Sequence, residues 1–283
     1  QANKRGVRVT GSEIVGLVPK ESLLRAGLYY LHKQSRSTAI PENEIIDIAI
    51  DTLGLNELSE FNQESSIIEN RIKSSNRLID LKVDEFSNEV SSESPAPGGG
   101  SVSALAGALA SSLVSMVSNL SFGKKDYEDN RDLIEEIGIK GQKIKKCLLE
   151  IVDEDTRAFD AIMAAFRMKK KTPEEEKNRL AQIQLATKYA INVPLSTMEL
   201  SLDALSLSKK IMKIGNVNSI SDAGVAAELS AAAINGAYMN VLINLKDINS
   251  AKYKEDISAK AEKIILKSEK ELQIARSYIY KKI

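Results

Sequence analysis

An aspartate, a glycine-rich turn and a pair of asparagines are the residues of this 283-residue chain best placed to do chemistry. Asp155 falls on an apolar helical stripe, four after Ile151 and three before Ala158, while Asp153 points roughly away from it. A carboxylate on a core-facing stripe is costly unless it is paired or used. It can move protons or sit in a structural ion pair, and spacing leaves both open. Ser94-Pro95-Ala96-Pro97-Gly98-Gly99-Gly100-Ser101 stands just ahead of a helix, where free backbone N–H groups and the helix dipole favour an anion. The same glycines would also serve as a plain turn. No Gly-Lys-Ser/Thr ends the stretch and no Gly-x-Gly-x-x-Gly follows a strand, so it is no nucleotide fingerprint. Asn240 and Asn244 share one helix face, where amides satisfy buried backbone or read the polar edge of a ligand ring. Asp222 has two matching readings, a helix cap or a cap that also reaches a ligand. His32 is the only histidine and reads as an ordinary surface residue after a helix. The chain shows no metal cluster and no Ser-His-Asp set.

The elements that must hold these groups are helices. No charge lies between Glu93 and Lys124, and Ser101 is expected to N-cap a helix running to about Ser121. Ala104, Ala108, Ser111 and Ser115 make a thin stripe on it, and Leu105, Leu109, Leu113 and Met116 a bulkier face. The run is long enough to span a membrane, but six polar residues, among them Ser103, Ser111 and Asn119, make it too polar. A long helix is expected from Asp129 to about Phe166, with Cys147 packed beside its stripe. Lys169-Lys170-Lys171 closes it as solvated charge or as a contact for an anionic tail. Thr172 and Glu175 form a capping box around Pro173, opening a helix to about Lys213 that bends at Pro194 and stops at Gly215-Asn216. Ser221 or Asp222 then caps a helix of small residues, and Lys252 to Ile283 is a last amphipathic helix. Upstream, Arg5 to Val18, with Val7 and Val9, reads as extended. Helices open at Pro19 and Pro41, the second stopping at Gly54. Asn62 to Arg77 reads as a linker, and Leu78 to Val90 as an amphipathic helix.

Lys and Arg number 39, as do Asp and Glu, so no global field draws in nucleic acid or membrane. One cysteine excludes an internal disulfide and fits a reducing, cytoplasmic setting. The chain opens Gln-Ala-Asn without Met, which suggests part of a longer product.

Pro95 to Ser101 with Gly123-Lys124-Lys125 resembles the opening of the formiminotetrahydrofolate cyclodeaminase family. Asp153-Glu154-Asp155-Thr156-Arg157-Ala158-Phe159 and Gly215 to Asp222, running on to Asn240 to Leu245, agree with it. The match covers about residues 78–283. Gly11 to Pro19 resembles the end of glutamate formiminotransferase, which precedes the cyclodeaminase in fused enzymes. The resemblance implies a mainly α fold: a multi-helix up-and-down cyclodeaminase domain over residues 69–283, after a short mixed α/β transferase remnant and linker over 1–68. The transferase's catalytic residues would lie upstream, so no transferase activity is expected of this chain.

The implied reaction closes 5-formiminotetrahydrofolate to 5,10-methenyltetrahydrofolate and releases ammonia. Folate, with or without a polyglutamate tail, is then substrate, and no cofactor or metal is called for. With its single histidine outside the domain, carboxylates and lysines are left for proton transfer. On this reading Asp155 shuttles the proton, Lys124 supplies positive charge and Asp222 joins them as a catalytic group. The N–H groups of Pro97, Gly98, Gly99, Gly100 and Ser101 hold an anionic or carbonyl part of the substrate, and Asn216, Ser221, Asn240 and Asn244 complete its binding. A methenyltetrahydrofolate cyclohydrolase is the close alternative, and a catalytically idle helical oligomerisation module a third. The two small-residue helices suggest a homodimer or a larger assembly.

Overall fold

The computed structural model describes residues 3–6, 11–72 and 76–283. Its helices are α1 (Lys20–Lys33), α2 (Glu42–Leu53), α3 (Gln63–Ser66), α4 (Ile68–Arg71), α5 (Val83–Val90), α6 (Gly99–Ser121), α7 (Arg131–Phe166), α8 (Pro173–Ile214), α9 (Ile220–Leu245) and α10 (Ala251–Ile279). The fold is mainly α, as expected. Strand pairing among the described residues is one isolated parallel bridge between Val18 and Ile67. Of the expected extended segment, residues 7–10, with Val7 and Val9, lie outside the described residues.

Helices α6 to α9 run up and down, each antiparallel to the next, with α6 closing back onto α9. Contacts fix the directions. Ser101 at the start of α6 meets Val152 late in α7, and Tyr189 of α8 meets Glu154. Asn244 near the end of α9 bonds Ala190 of α8. Helix α10 packs on α8 and α9, tied by Lys209–Glu271 and Arg276–Glu228 ion pairs.

Small residues let these backbones approach. Ala104, Ala108, Ser111 and Ser115 of α6 are buried, as are Ala223, Ala226, Ala227, Ala231 and Ala233 of α9. The α6 serines enter the core because nearly every hydroxyl finds an acceptor, Ser118 being the buried exception among the described residues. Ser111 donates to Gly107 O at 3.0 Å, and Ser115 to Gly138 O of α7 at 2.9 Å. The bulky face turns outward: Leu109 is 51% exposed and Met116 36%. By length and composition α6 could cross a membrane, but 61% of its apolar window is buried inside this bundle.

Several local expectations need correction. Gly98, not Ser101, is the N-cap of α6. Ser219 precedes α9 and makes no side-chain cap bond, so Ser221 and Asp222 lie in its first turn. The residues expected as one helix from Leu78 split into a 3₁₀ turn over Leu78–Asp80 and α5. A second 3₁₀ turn, Lys125–Asn130, delays α7 to Arg131. Cys147 is exposed rather than packed. His32 lies in the last turn of α1, not after it. The expected linker holds α3, α4 and the fully buried Ile67, because the bridge to Val18 pulls it into a small core with Leu23, Ile46 and Ile50. The stops and caps at Gly54 and Thr172 hold. Gly54 takes φ of 63°, and Thr172 and Glu175 exchange both capping bonds. Helix α8 continues through Pro194.

Candidate functional site

Asp155 stands opposite the first turn of α6. Its Oδ2 accepts the Ser101 backbone N–H at 2.9 Å and the Ser101 hydroxyl at 3.2 Å. That hydroxyl also donates to Val152 O at 2.8 Å. The carboxylate thus caps α6 from another helix, which is why Ser101 is not its own cap. No hydrogen bond to Asp155 Oδ1 forms among the described residues. Burial pushes the Asp155 carboxyl above its ordinary range, and the two Ser101 bonds partly oppose this. Gly100 permits the approach: a Cβ there would collide with the Asp155 carboxylate.

The Ala96–Pro97 peptide is cis and Pro97 is buried. Proline has no N–H, so Pro97 contributes shape to the turn and not the donor expected of it. Ser101 N–H is committed to Asp155. The N–H groups of Gly98, Gly99 and Gly100 remain, and Gly99 is exposed. Asn240 lies beside them: a Cβ on Gly99 would meet Asn240 Nδ2 at 3.5 Å. Asn240 itself donates to Gly236 O at 2.9 Å. Asn244 donates to Ala190 O at 2.9 Å. Ala190 is four residues before Pro194, whose missing N–H leaves that carbonyl without its helical partner, and the Asn244 amide replaces it.

The other expected residues gather at the far end of α6. Lys124 is exposed and lines a cavity of about 170 Å³ with Gly123, Lys125, Glu128 and Arg131. Asn216 is buried. Its N–H donates to Ser121 Oγ at 2.7 Å and its Oδ1 accepts Asn218 N–H at 3.1 Å. Val217 N–H donates to Tyr127 OH at 3.1 Å, which docks the turn before α9 against the turn after α6. Ser221 is exposed and Asp222 half-buried at the start of α9. Ser101 and Ser121 are about 30 Å apart at 1.5 Å per helical residue. Within one chain, then, Asp155, residues 97–101, Asn240 and Asn244 form one pole, while Lys124, Asn216, Ser221 and Asp222 form the other.

Sequence reasoning missed the neighbours of Asp155. Tyr189 donates to Glu154 Oε1 at 3.1 Å, and burial raises its phenol above the ordinary value, followed by the effect of Glu154. Asp153 accepts Leu78 N–H at 2.6 Å through Oδ1, while its Oδ2 and the Thr156 hydroxyl are buried without a partner among the described residues. Only the acidic run beside Asp155 hints at them. A cavity of about 880 Å³ lies elsewhere, between α1, α2 and α7, and includes His32 and Lys145 but none of the expected site residues. Among the described residues no three His, Cys, Asp or Glu side chains converge as a metal site.

Residues 82–263 match the family described as formiminotransferase-cyclodeaminase, and residues 1–73 match the formiminotransferase domain. The formimidoyltransferase-cyclodeaminase of Gallus gallus is 36% identical over 253 residues, 88% of this chain and 47% of that protein. The chain therefore spans about half the length of that relative. A methenyltetrahydrofolate cyclohydrolase of Methylorubrum extorquens is 36% identical over 174 residues, 62% of this chain and 84% of that one. The crystal structure of formiminotetrahydrofolate cyclodeaminase from Thermotoga maritima shares the fold with a TM-score of 0.66 at 28% identity, covering 72% of this chain and 98% of that one.

Proposed function

This chain belongs to the formiminotransferase-cyclodeaminase family, and from that premise we propose that it closes 5-formiminotetrahydrofolate to 5,10-methenyltetrahydrofolate and releases ammonia. The observation that carries this is the Asp155 carboxylate, raised by burial and held against the glycine turn with one oxygen unclaimed.

N10 of the folate adds to the formimino carbon on N5. The tetrahedral centre then expels the amine and not a ring nitrogen. One proton must leave N10 and one must reach the departing amine. A carboxyl raised towards neutrality can do both in turn, accepting as carboxylate and donating as acid. The N–H groups of Gly98, Gly99 and Gly100 are free to bind an anionic or carbonyl part of the substrate. One C–N bond forms and one breaks within a single substrate, with two proton transfers and no redox change, so folate is substrate and no cofactor is assigned. A polyglutamate tail on that folate would meet basic surface such as Lys169-Lys170-Lys171. The protein works as a homodimer or larger assembly in the reducing cytoplasm, a setting its single cysteine suits.

The relative named methenyltetrahydrofolate cyclohydrolase keeps a second reading in view, in which the same site adds water to the methenyl ring. A stopped assay with 5-formiminotetrahydrofolate, following methenyl absorbance and ammonia together, separates them. Both signals rising in step is the expected result. Consumption of supplied methenyltetrahydrofolate without ammonia release selects the cyclohydrolase. Tight folate binding with neither reaction would make the domain a non-catalytic module.

A further inference from the structure

The cavity of about 880 Å³ between α1, α2 and α7 takes no part in the chemistry proposed above, yet it has the makings of a binding site. Its volume falls within the roughly 300–1,000 Å³ of small-molecule sites. Leu24, Leu28, Ile40, Ile79, Ile139 and Leu149 line it and are all half-buried, each presenting part of its surface to the void. The turn between α1 and α2 is pinned beside it. Thr38 donates its N–H and its hydroxyl to Glu135 Oε1, at 2.9 and 2.7 Å. Asn119 and Gln142 both donate to Ala39 O, at 2.9 and 3.0 Å. These bonds fix α1 and α2 against α6 and α7 with the space between them open.

The charges around the void leave cations over. Glu42 accepts from both Lys20 and Lys146 at 2.7 Å, so one carboxylate serves two ammonium groups. Glu135 is taken by Thr38, Glu21 by Arg25, and Arg77 pairs with Asp80. Glu150 is exposed and acts on Arg77 and Lys146. Lys145 donates to the neutral Gln142 Oε1, and neither it nor Lys143 makes an ion pair among the described residues. Burial pushes the Lys145 amine below its ordinary value, and Glu42 and Glu44 oppose this only through space.

An ammonium group in apolar surroundings is costly without a counter-charge. A purely apolar occupant would bury Lys145 further and supply none. A small inorganic anion would leave six aliphatic side chains wet. An anion carried on an apolar body satisfies both demands.

We infer that this cavity binds a small carboxylate with an aliphatic or aromatic body, its head on Lys145 and Lys143 and its body against the leucines and isoleucines of α1, α7 and the neighbouring turns. The walls come from both matched segments, α1 and α2 from residues 1–73 and α7 from residues 82–263. A ligand that binds only when the two are docked stabilises their docking. No wall residue belongs to the cyclodeaminase site, so the inference does not rest on the proposed reaction.

Isothermal titration calorimetry on the full chain tests this with decanoate, decanol and acetate. Decanoate should bind at a single site. Decanol, which lacks the charge, should bind at least about tenfold more weakly, the scale of a lost charged hydrogen bond. Acetate, which lacks the body, should give no binding heat. Lys145→Gln should weaken decanoate at least about tenfold and leave decanol unchanged, while Lys145→Arg keeps most of the affinity. Ile139→Glu places a carboxylate in the cavity and should weaken both ligands. Decanoate should also raise the melting temperature of the wild type but not of Ile139→Glu. Decanoate that binds Lys145→Gln and Ile139→Glu as tightly as wild type sits on another apolar surface, such as the outside of α6, and overturns the inference. Absence of decanoate binding to the wild type overturns it too. A tetraglutamate peptide that binds as well as decanoate would do the same, because charge alone would then suffice. Every readout is binding or melting and not turnover, so a failed folate assay leaves the result standing.

Discussion

Asp155 is the residue on which proton chemistry and stability pull against each other. Its folded carboxyl is raised, so the unfolded chain releases this proton first as pH climbs. The stability contributed by the protonated form is full below the ordinary aspartate range and falls until the folded carboxyl also ionises. Asp155→Asn removes that penalty and keeps an acceptor for Ser101 N–H. We expect at least about a 100-fold loss of turnover, the scale of general acid–base catalysis, with folate binding retained and a melting temperature equal to or above wild type near neutral pH. A variant that unfolds instead would make Asp155 a structural cap. The acid limb of the turnover profile should lie above the ordinary aspartate range and vanish in Asp155→Asn, as rates against pH would show. Gly100→Ala tests the same contact from the other side. Its methyl would strike the carboxylate, so stability should fall by about 1–3 kcal/mol together with activity, measured by denaturant unfolding and the coupled assay.

At the scale of elements, the structure divides the asparagines by their work. Asn244 repairs α8 where Pro194 breaks the hydrogen-bond ladder, so Asn244→Ala leaves a carbonyl in the bundle without a partner. The expected cost is about 1–3 kcal/mol by denaturant unfolding. An unchanged stability with a raised KM would instead give Asn244 to the substrate. Asn216 is likewise spent on the turn between α8 and α9. Thr172→Ala removes a capping box far from both poles and should cost about 1 kcal/mol without changing turnover. These roles were half legible. The capping box follows from residues three apart, and the sequence shows both Pro194 and Asn244. What joins them is a contact across 54 positions of chain, which no local pattern encodes.

At the scale of the whole molecule, the architecture is an up-and-down bundle with small residues inside and the expected site residues gathered at its two ends. The serines of α6 make the first possible by bonding to carbonyls one turn back or across to α7, so a polar helix becomes a core helix. The bulky face, with Leu109 and Met116 exposed, is left outside, where the proposed assembly would have room to pack. Size-exclusion chromatography with light scattering should therefore give a dimer or larger at micromolar concentration, and a monomer would count against the assembly.

The sequence by itself determined the helical class, the position of most helices, the glycine turn and Asp155 as its most informative carboxylate, because periodicity, caps and a charge on an apolar stripe are local properties. It also carried the four blocks whose order resembles the family. It could not say that Ser101 bonds Asp155 rather than capping its own helix, nor that Pro97 lends shape where a donor was expected. It could not say that Lys124 and Asp155 lie at opposite ends of α6 in one chain. Those facts depend on which ends of antiparallel helices meet, and that was decided only when the small-residue faces of α6 and α9 packed together.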